Sequence, residues 1–175
     1  MNRTIVALFT SREDAEAARK ELIDVGIPPD DLHVRGGSSS SADRSDAESR
    51  DPGRFWRSVL ETTDAGEDSY AHYAEAERRG NAALVVEDVE PREAASIETA
   101  LVTHGVLDIE KLADDWRTRG WHRYDERAPA LSPSELDEER RRSAQFRAGG
   151  APGVDPRRCI RFFSVVIERS GSGRR

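Results

Sequence analysis

The chain has 175 residues, 36% of them apolar and 35% charged, and a mean hydropathy of -0.74, so it builds a modest core rather than one drawn from every position. Its net charge of -7 argues against non-specific binding to nucleic acid or to an anionic membrane surface. A single cysteine, Cys159, excludes an intrachain disulfide or a Cys-cluster zinc site.

The first segment, Thr4-Ile-Val-Ala-Leu-Phe9, is a β-rich run of buried-strand length. Thr10 or Ser11 caps the following helix, whose first turn carries Glu13 and Asp14. Ala15, Ala18, Leu22 and Val25 recur at helical spacing, Gly26 ends the helix and Pro28-Pro29 stops it resuming. Leu32-His-Val34 is a short second strand. Residues 35–53 read as a flexible Ser-rich insertion. Residues 54–80 read as a helical insertion, with an apolar patch at Phe55-Trp56 and Val59-Leu60 and a helix from Ser69 to Arg79. Both pieces are expected to cover the sheet or one of its edges.

A second β-α-β unit follows: strand Ala82–Val86, a helix with Ala94, Ile97, Leu101 and His104 on one face, Gly105 as its cap, and strand Val106–Ile109. At an offset of 79 residues the two units align without a gap: Val6 with Val85, Ala18 with Ile97, Leu22 with Leu101, Gly26 with Gly105. Duplication explains this best. The expected fold is α+β, a ferredoxin-like β-α-β-β-α-β sandwich over residues 3–125 with two helices on one face of a four-stranded sheet. Residues 126–175 read as a charged, partly disordered and largely irregular extension. Within it, Pro133 opens a short helix and residues 159–168 form a possible strand. Charge divides similarly, with 13 Lys/Arg against 24 Asp/Glu in residues 1–111 and 14 against 10 in residues 112–175.

No motif predicts chemistry. The strand-to-helix turns, Phe9-Thr-Ser-Arg12 and Glu87-Asp-Val-Glu-Pro91, lack the glycines of a phosphate cradle. Asp68, His72 and Glu75 share a helix face, a spacing that a solvated surface explains far more often than a metal does. Arg157, Arg158 and Arg161 around Cys159 hint weakly at a redox-sensitive thiol. RNA recognition would need exposed aromatics on the central strands, and Phe9 is the only one in the first. The expectation is therefore a non-enzyme without cofactor or metal.

The most distinctive local feature is Trp116, Arg117, Arg119, Trp121, His122 and Tyr124. Trp, Tyr and Arg dominate protein-binding hot spots, which makes this a candidate interaction surface. The competing reading, favoured two to one, is that the tryptophans fold back into the core. A protein partner or self-association is the expected mode of action, with a small-ligand regulatory module, its pocket between the sheet and the Tyr70/Tyr73 helix, as the alternative. No apolar run approaches a membrane span or a signal-peptide core, so a cytoplasmic, non-membrane protein is expected.

Thr4-Ile-Val-Ala-Leu-Phe9, Gly26-Ile-Pro-Pro-Asp-Asp-Leu32, Tyr73-Ala-Glu-Ala-Glu-Arg-Arg-Gly80, His104-Gly-Val-Leu-Asp-Ile-Glu110 and Trp116-Arg-Thr-Arg-Gly-Trp121 together resemble a family of bacterial general-stress proteins. These are the heat-induced stress protein domains, of unknown biochemistry. The resemblance spans residues 3–125 and implies a stress-response context. It supplies no catalytic residues.

Overall fold

The computed structural model describes residues 2–37, 51–66, 68–148 and 155–165. In chain order these form β1 (Arg3–Phe9), α1 (Arg12–Asp24), β2 (Leu32–Gly36), α2 (Pro52–Glu61), α3 (Ser69–Arg78), β3 (Ala82–Val89), α4 (Ala94–Thr103), α5 (Ile109–Thr118), α6 (Pro133–Ser143) and β4 (Arg161–Ser164), with short 3₁₀ turns between. The class is α+β. One four-stranded sheet runs β2-β3-β1-β4, and every neighbouring pair is antiparallel.

The repeat is visible atom by atom. Ser11 caps α1 by accepting from the Asp14 N–H, as its side chain allows. The helix then ends with Gly26 at φ 106°, the Gly26 N–H bonded to Ile23 and the Ile27 N–H to Leu22. Seventy-nine residues later, Gly105 at φ 79° ends α4 with the Gly105 N–H on Val102 and the Val106 N–H on Leu101. Both glycines occupy the left-handed region that closes a helix and that side chains resist. β1 and β3 are the paired central strands, and Val6 lies opposite Val85, its own repeat equivalent. Ile5 opposes Val86 and Ala7 opposes Leu84, so the pseudo-twofold axis of the duplication passes through the Val6–Val85 pair.

β1 and β3 are apolar at successive positions rather than alternate ones, the pattern of strands buried on both faces. On one face Ile5, Ala7, Phe9, Leu84 and Val86 meet Ala15, Ala18 and Leu22 of α1 and Ile97, Ala100 and Leu101 of α4. On the other, Val6, Leu8, Ala83 and Val85 meet Trp56 and Leu60 of α2, Tyr73 and Ala74 of α3, and Leu112, Ala113 and Trp116 of α5. The 54–80 insertion thus covers the face opposite the repeat helices, and the sheet is three-layered rather than open on one side. The Ser-rich segment falls mostly at 38–50, outside the described residues; its first residues, Arg35 and Gly36, belong to β2.

The expected strand Val106–Ile109 does not form. Leu107 alone bridges to β1, its N–H donating to the Leu8 carbonyl at 2.7 Å. Asp108 then caps α5, its Oδ1 accepting from the Glu110 and Lys111 N–H groups, and the chain turns helical. The vacated sheet position is filled by β4, paired from Arg161 opposite Val6 to Ser164 opposite Arg3.

Residues after 125 are therefore part of the fold rather than a largely irregular extension, within the described set. α6 opens with a Ser132–Glu135 capping box. It is anchored by Ser143, whose Oγ accepts from the Asn81 Nδ2 at 3.0 Å, and by Arg140, whose Nε donates to the Gly80 carbonyl at 3.1 Å. The strand expected over 159–168 is limited to Arg161–Ser164, with 166–168 outside the described residues.

Candidate functional site

The six aromatic-segment residues are not brought together as a surface. α5 carries Ile109, Leu112, Ala113 and Trp116 on one stripe, and that stripe faces the sheet. Trp116 is 1% exposed, lies edge-on to Trp121 with ring centroids 5.6 Å apart, and has the Arg79 guanidinium 5.2 Å from its centroid. As a contact for a partner it is corrected: helical periodicity aims it inward. Arg119 is held by Asp115 and by Glu139 of α6. Tyr124 is half-buried against Gly53 of α2, and burial with nearby Asp51 pushes its hydroxyl pKa up to about 12. Trp121 is half-buried against His72, its indole N–H enclosed without an acceptor among the described residues. Arg117 and His122 are exposed. Arg117 donates to His72 Nε2 at 3.1 Å, which requires a neutral imidazole. Burial, followed by Arg117, lowers the His72 pKa below its usual 6.5.

The titratable clusters are structural. Glu75, 1% exposed, accepts from Arg78 and Arg79, so Asp68, His72 and Glu75 do not converge. Among the described residues no group of His, Cys, Asp and Glu is arranged to hold a metal ion. Glu77 accepts from Arg35 Nε at 2.8 Å and from Trp56 Nε1 at 3.1 Å, both buried. Cys159 is buried; burial and the carboxylates of Asp108 and Asp155 push its thiol up to about 12, opposite to the effect expected of its arginine neighbours. His104, at the end of α4, pairs with Glu21 of α1 across the repeat interface. No described helix is long and apolar enough to cross a membrane.

Among the described residues, no strand pairs with the outer edge of β2. The Leu107 N–H bonds Leu8 from the far side of β1, so even-numbered residues of β1 turn away from β3 and odd-numbered ones toward it. Carried across the registers Ala7–Leu84 and Arg35–Ala83, the alternation turns His33 and Arg35 inward to β3. Leu32, Val34 and Gly36 point their backbone groups outward. Two contacts from α1 agree: Arg19 Nε donates to the Leu32 carbonyl at 3.4 Å and Arg12 to the Gly36 carbonyl at 3.2 Å. Between them Val34 presents its N–H and C=O. A cavity of about 410 Å³ runs along this edge, lined by Arg12, Glu16 and Arg19 on one side and Phe55 on the other. The sequence signal was Arg12-x-x-x-Glu16-x-x-Arg19, one face of α1, which reads as ordinary solvated helix until β2 is known to be an edge. A second cavity of about 590 Å³ lies between α2 and α3, lined by Arg57, Leu60, Asp68 and Tyr70 among others. Tyr73, expected beside a ligand pocket, is instead core, stacked on Trp56 and edge-on to Phe163.

No family model matches this chain, and no curated protein or solved structure is significantly similar to it.

Proposed function

We propose that the protein is a non-enzymatic protein-interaction module. One observation carries the reading: helices cover both sheet faces, while among the described residues nothing pairs with the outer edge of β2, which lies in a groove with outward-facing backbone groups. Such an edge accepts an added strand. The sheet order, with α1 and α4 as the two crossovers, fits a ferredoxin-like plan whose fourth strand is split between Leu107 and β4. The stress-response context rests on the sequence resemblance of residues 3–125 alone.

The test compares full-length wild type, Val34→Pro and Arg117→Ala/His122→Ala in co-purification from heat-stressed cells, followed by reconstitution from purified components. Proline at an outward-facing edge position removes a donor without breaking the β2–β3 ladder. A partner that rebinds wild type, and is lost only with Val34→Pro, supports the edge. Loss only with Arg117→Ala/His122→Ala returns the site to the aromatic segment.

The ligand-module alternative is favoured by the α2–α3 cavity, where Arg57 and Asp68 offer opposite charges beside Tyr70. A metabolite that raises the melting midpoint of wild type but not of Tyr70→Ala would support it.

A further inference from the structure

We propose that the β2 groove receives an extended segment of a partner protein bearing two carboxylates four residues apart; this rests on the interaction-module reading above. The backbone sets the geometry. Val34 offers an N–H and a C=O on the open edge, the arrangement by which two antiparallel residues exchange both hydrogen bonds. Its neighbours differ. The Leu32 N–H closes the preceding turn on the Pro29 carbonyl, and the Leu32 and Gly36 carbonyls already accept from Arg19 and Arg12. An incoming strand therefore registers on Val34 and finds a guanidinium at each flank.

Those flanks are four residues apart on β2, about 13 Å at the rise of an antiparallel strand. Side chains at i and i+4 of an extended peptide lie on the same face at the same separation, so acids at that spacing meet Arg12 and Arg19 together. Charge-assisted contacts of this kind outweigh neutral ones. Glu16 lies between the arginines, 3.6 Å from Arg12, so that two arginines stand against one carboxylate among the described residues of this helix face. On the opposite wall the Phe55 ring, with the Arg35 guanidinium 4.0 Å from its centroid, gives an apolar surface for the residues at i+1 and i+3, whose side chains point to the other face.

A second copy is the poorer occupant. Two β2 edges paired about Val34 would set Arg12 and Arg19 of one copy against the same residues of the other, and like charges across a strand pair are destabilising.

The experiment is fluorescence anisotropy of a labelled nonapeptide, Thr-Val-Glu-Val-Thr-Val-Glu-Val-Thr, titrated with the full chain, beside versions carrying Gln or Lys at both acids. The acidic peptide is expected to bind about tenfold tighter than the Gln version at low salt, with the preference shrinking as salt rises. Arg12→Gln/Arg19→Gln, changes at the rim, should erase the preference, and Val34→Pro should weaken all three peptides. Circular dichroism of each variant checks the fold, and the Arg pair decides the matter if Val34→Pro unfolds. Equal binding of the Glu and Gln peptides, or a preference that survives Arg12→Gln/Arg19→Gln, overturns the proposal. So does a concentration-dependent dimer abolished by Val34→Pro, which makes a second copy the occupant. A reconstituted partner lost with Val34→Pro but indifferent to both arginines leaves the interaction module standing and removes the acidic ligand alone.

Discussion

Glu77→Ala tests whether the inserted helices are integral to the fold. The Glu77 carboxylate, 9% exposed, accepts from Arg35 of β2, 8% exposed, and from the Trp56 indole of α2. It joins the edge strand to two helices of the covering layer. Removing it leaves a buried guanidinium without that carboxylate and a buried indole N–H without its acceptor. Losing one member of a buried pair costs about 3–5 kcal/mol, because the remaining charge keeps its desolvation cost and loses its compensating carboxylate. At about 2–4 °C per kcal/mol for a chain of this size, the midpoint should fall by roughly 6–20 °C. Glu77→Gln keeps an acceptor and should cost less. Arg35→Met/Glu77→Leu removes both charges and should be less damaging than Glu77→Ala. Urea and thermal unfolding followed by circular dichroism and Trp fluorescence measure all three. A Glu77→Ala cost below about 1 kcal/mol, the range of an exposed pair, or a double variant as unstable as the single one, would refute the reasoning.

Four further outcomes follow from the geometry. Trp116→Ala should cost about 3–5 kcal/mol in unfolding experiments, as for other buried aromatics; a near-neutral effect would place Trp116 outside the core. His72 is held neutral by burial and by Arg117, against the opposing carboxylates of Asp68 and Glu110. The unfolded chain therefore takes up the proton first, and stability present above pH 6.5 is lost as pH falls toward the lowered folded value; urea midpoints measured at pH 7.5 and at about pH 5.5 should converge toward each other in His72→Gln. Cys159, pushed up to about 12, should react with a disulfide reagent at pH 8 far more slowly in the native protein than in urea. Gly26→Ala and Gly105→Ala should each cost about 1 kcal/mol from the positive φ, with little added at Gly105, since the group a Cβ meets there is the movable end of the Arg147 side chain.

The parts of the fold legible in the sequence are those written locally. β1, α1, β3 and α4 each carry their own hydrophobic period and stop signal, and the shared offset of 79 ties them together. Trp116 was legible as well: Ile109, Leu112, Ala113 and Trp116 form an i, i+3, i+4, i+7 stripe behind a capping Asp108. Read on its own, Val106-Leu-Asp-Ile109 after the Gly105 cap is a short strand, and that reading takes Ile109 out of the stripe. The β2 groove is different in kind. It depends on which strand lies at the sheet edge and on which way each peptide group points, and both are settled by partners more than 40 residues away in the chain.

The divergence of the two repeats after their glycine caps explains the rest of the architecture. Past Gly26, Pro28-Pro29 stops the α-helix resuming, and a single 3₁₀ turn, Pro29–Asp31, delivers the chain to β2. Past Gly105, Asp108 does the opposite and starts α5. Had the chain continued extended, residue 109 would have fallen opposite Val6, where Arg161 now sits. The stripe that would have edged the sheet covers its second face instead, burying Trp116, and the slot passes to a segment more than 50 residues further on. Phe162 and Phe163, which pack toward opposite faces, suit it to a strand covered on both sides. A boundary at residue 125 therefore cuts through the sheet: residues 3–125 alone would keep β1 paired to β3 but lose its β4 partner from Arg3 to Val6 and expose one edge of each core. The loop closed by β4 is long, and its closure entropy is recovered only as Phe163 is buried and Phe162 packs half-buried on the other face. β4 is thus expected to dock after the paired repeats have formed.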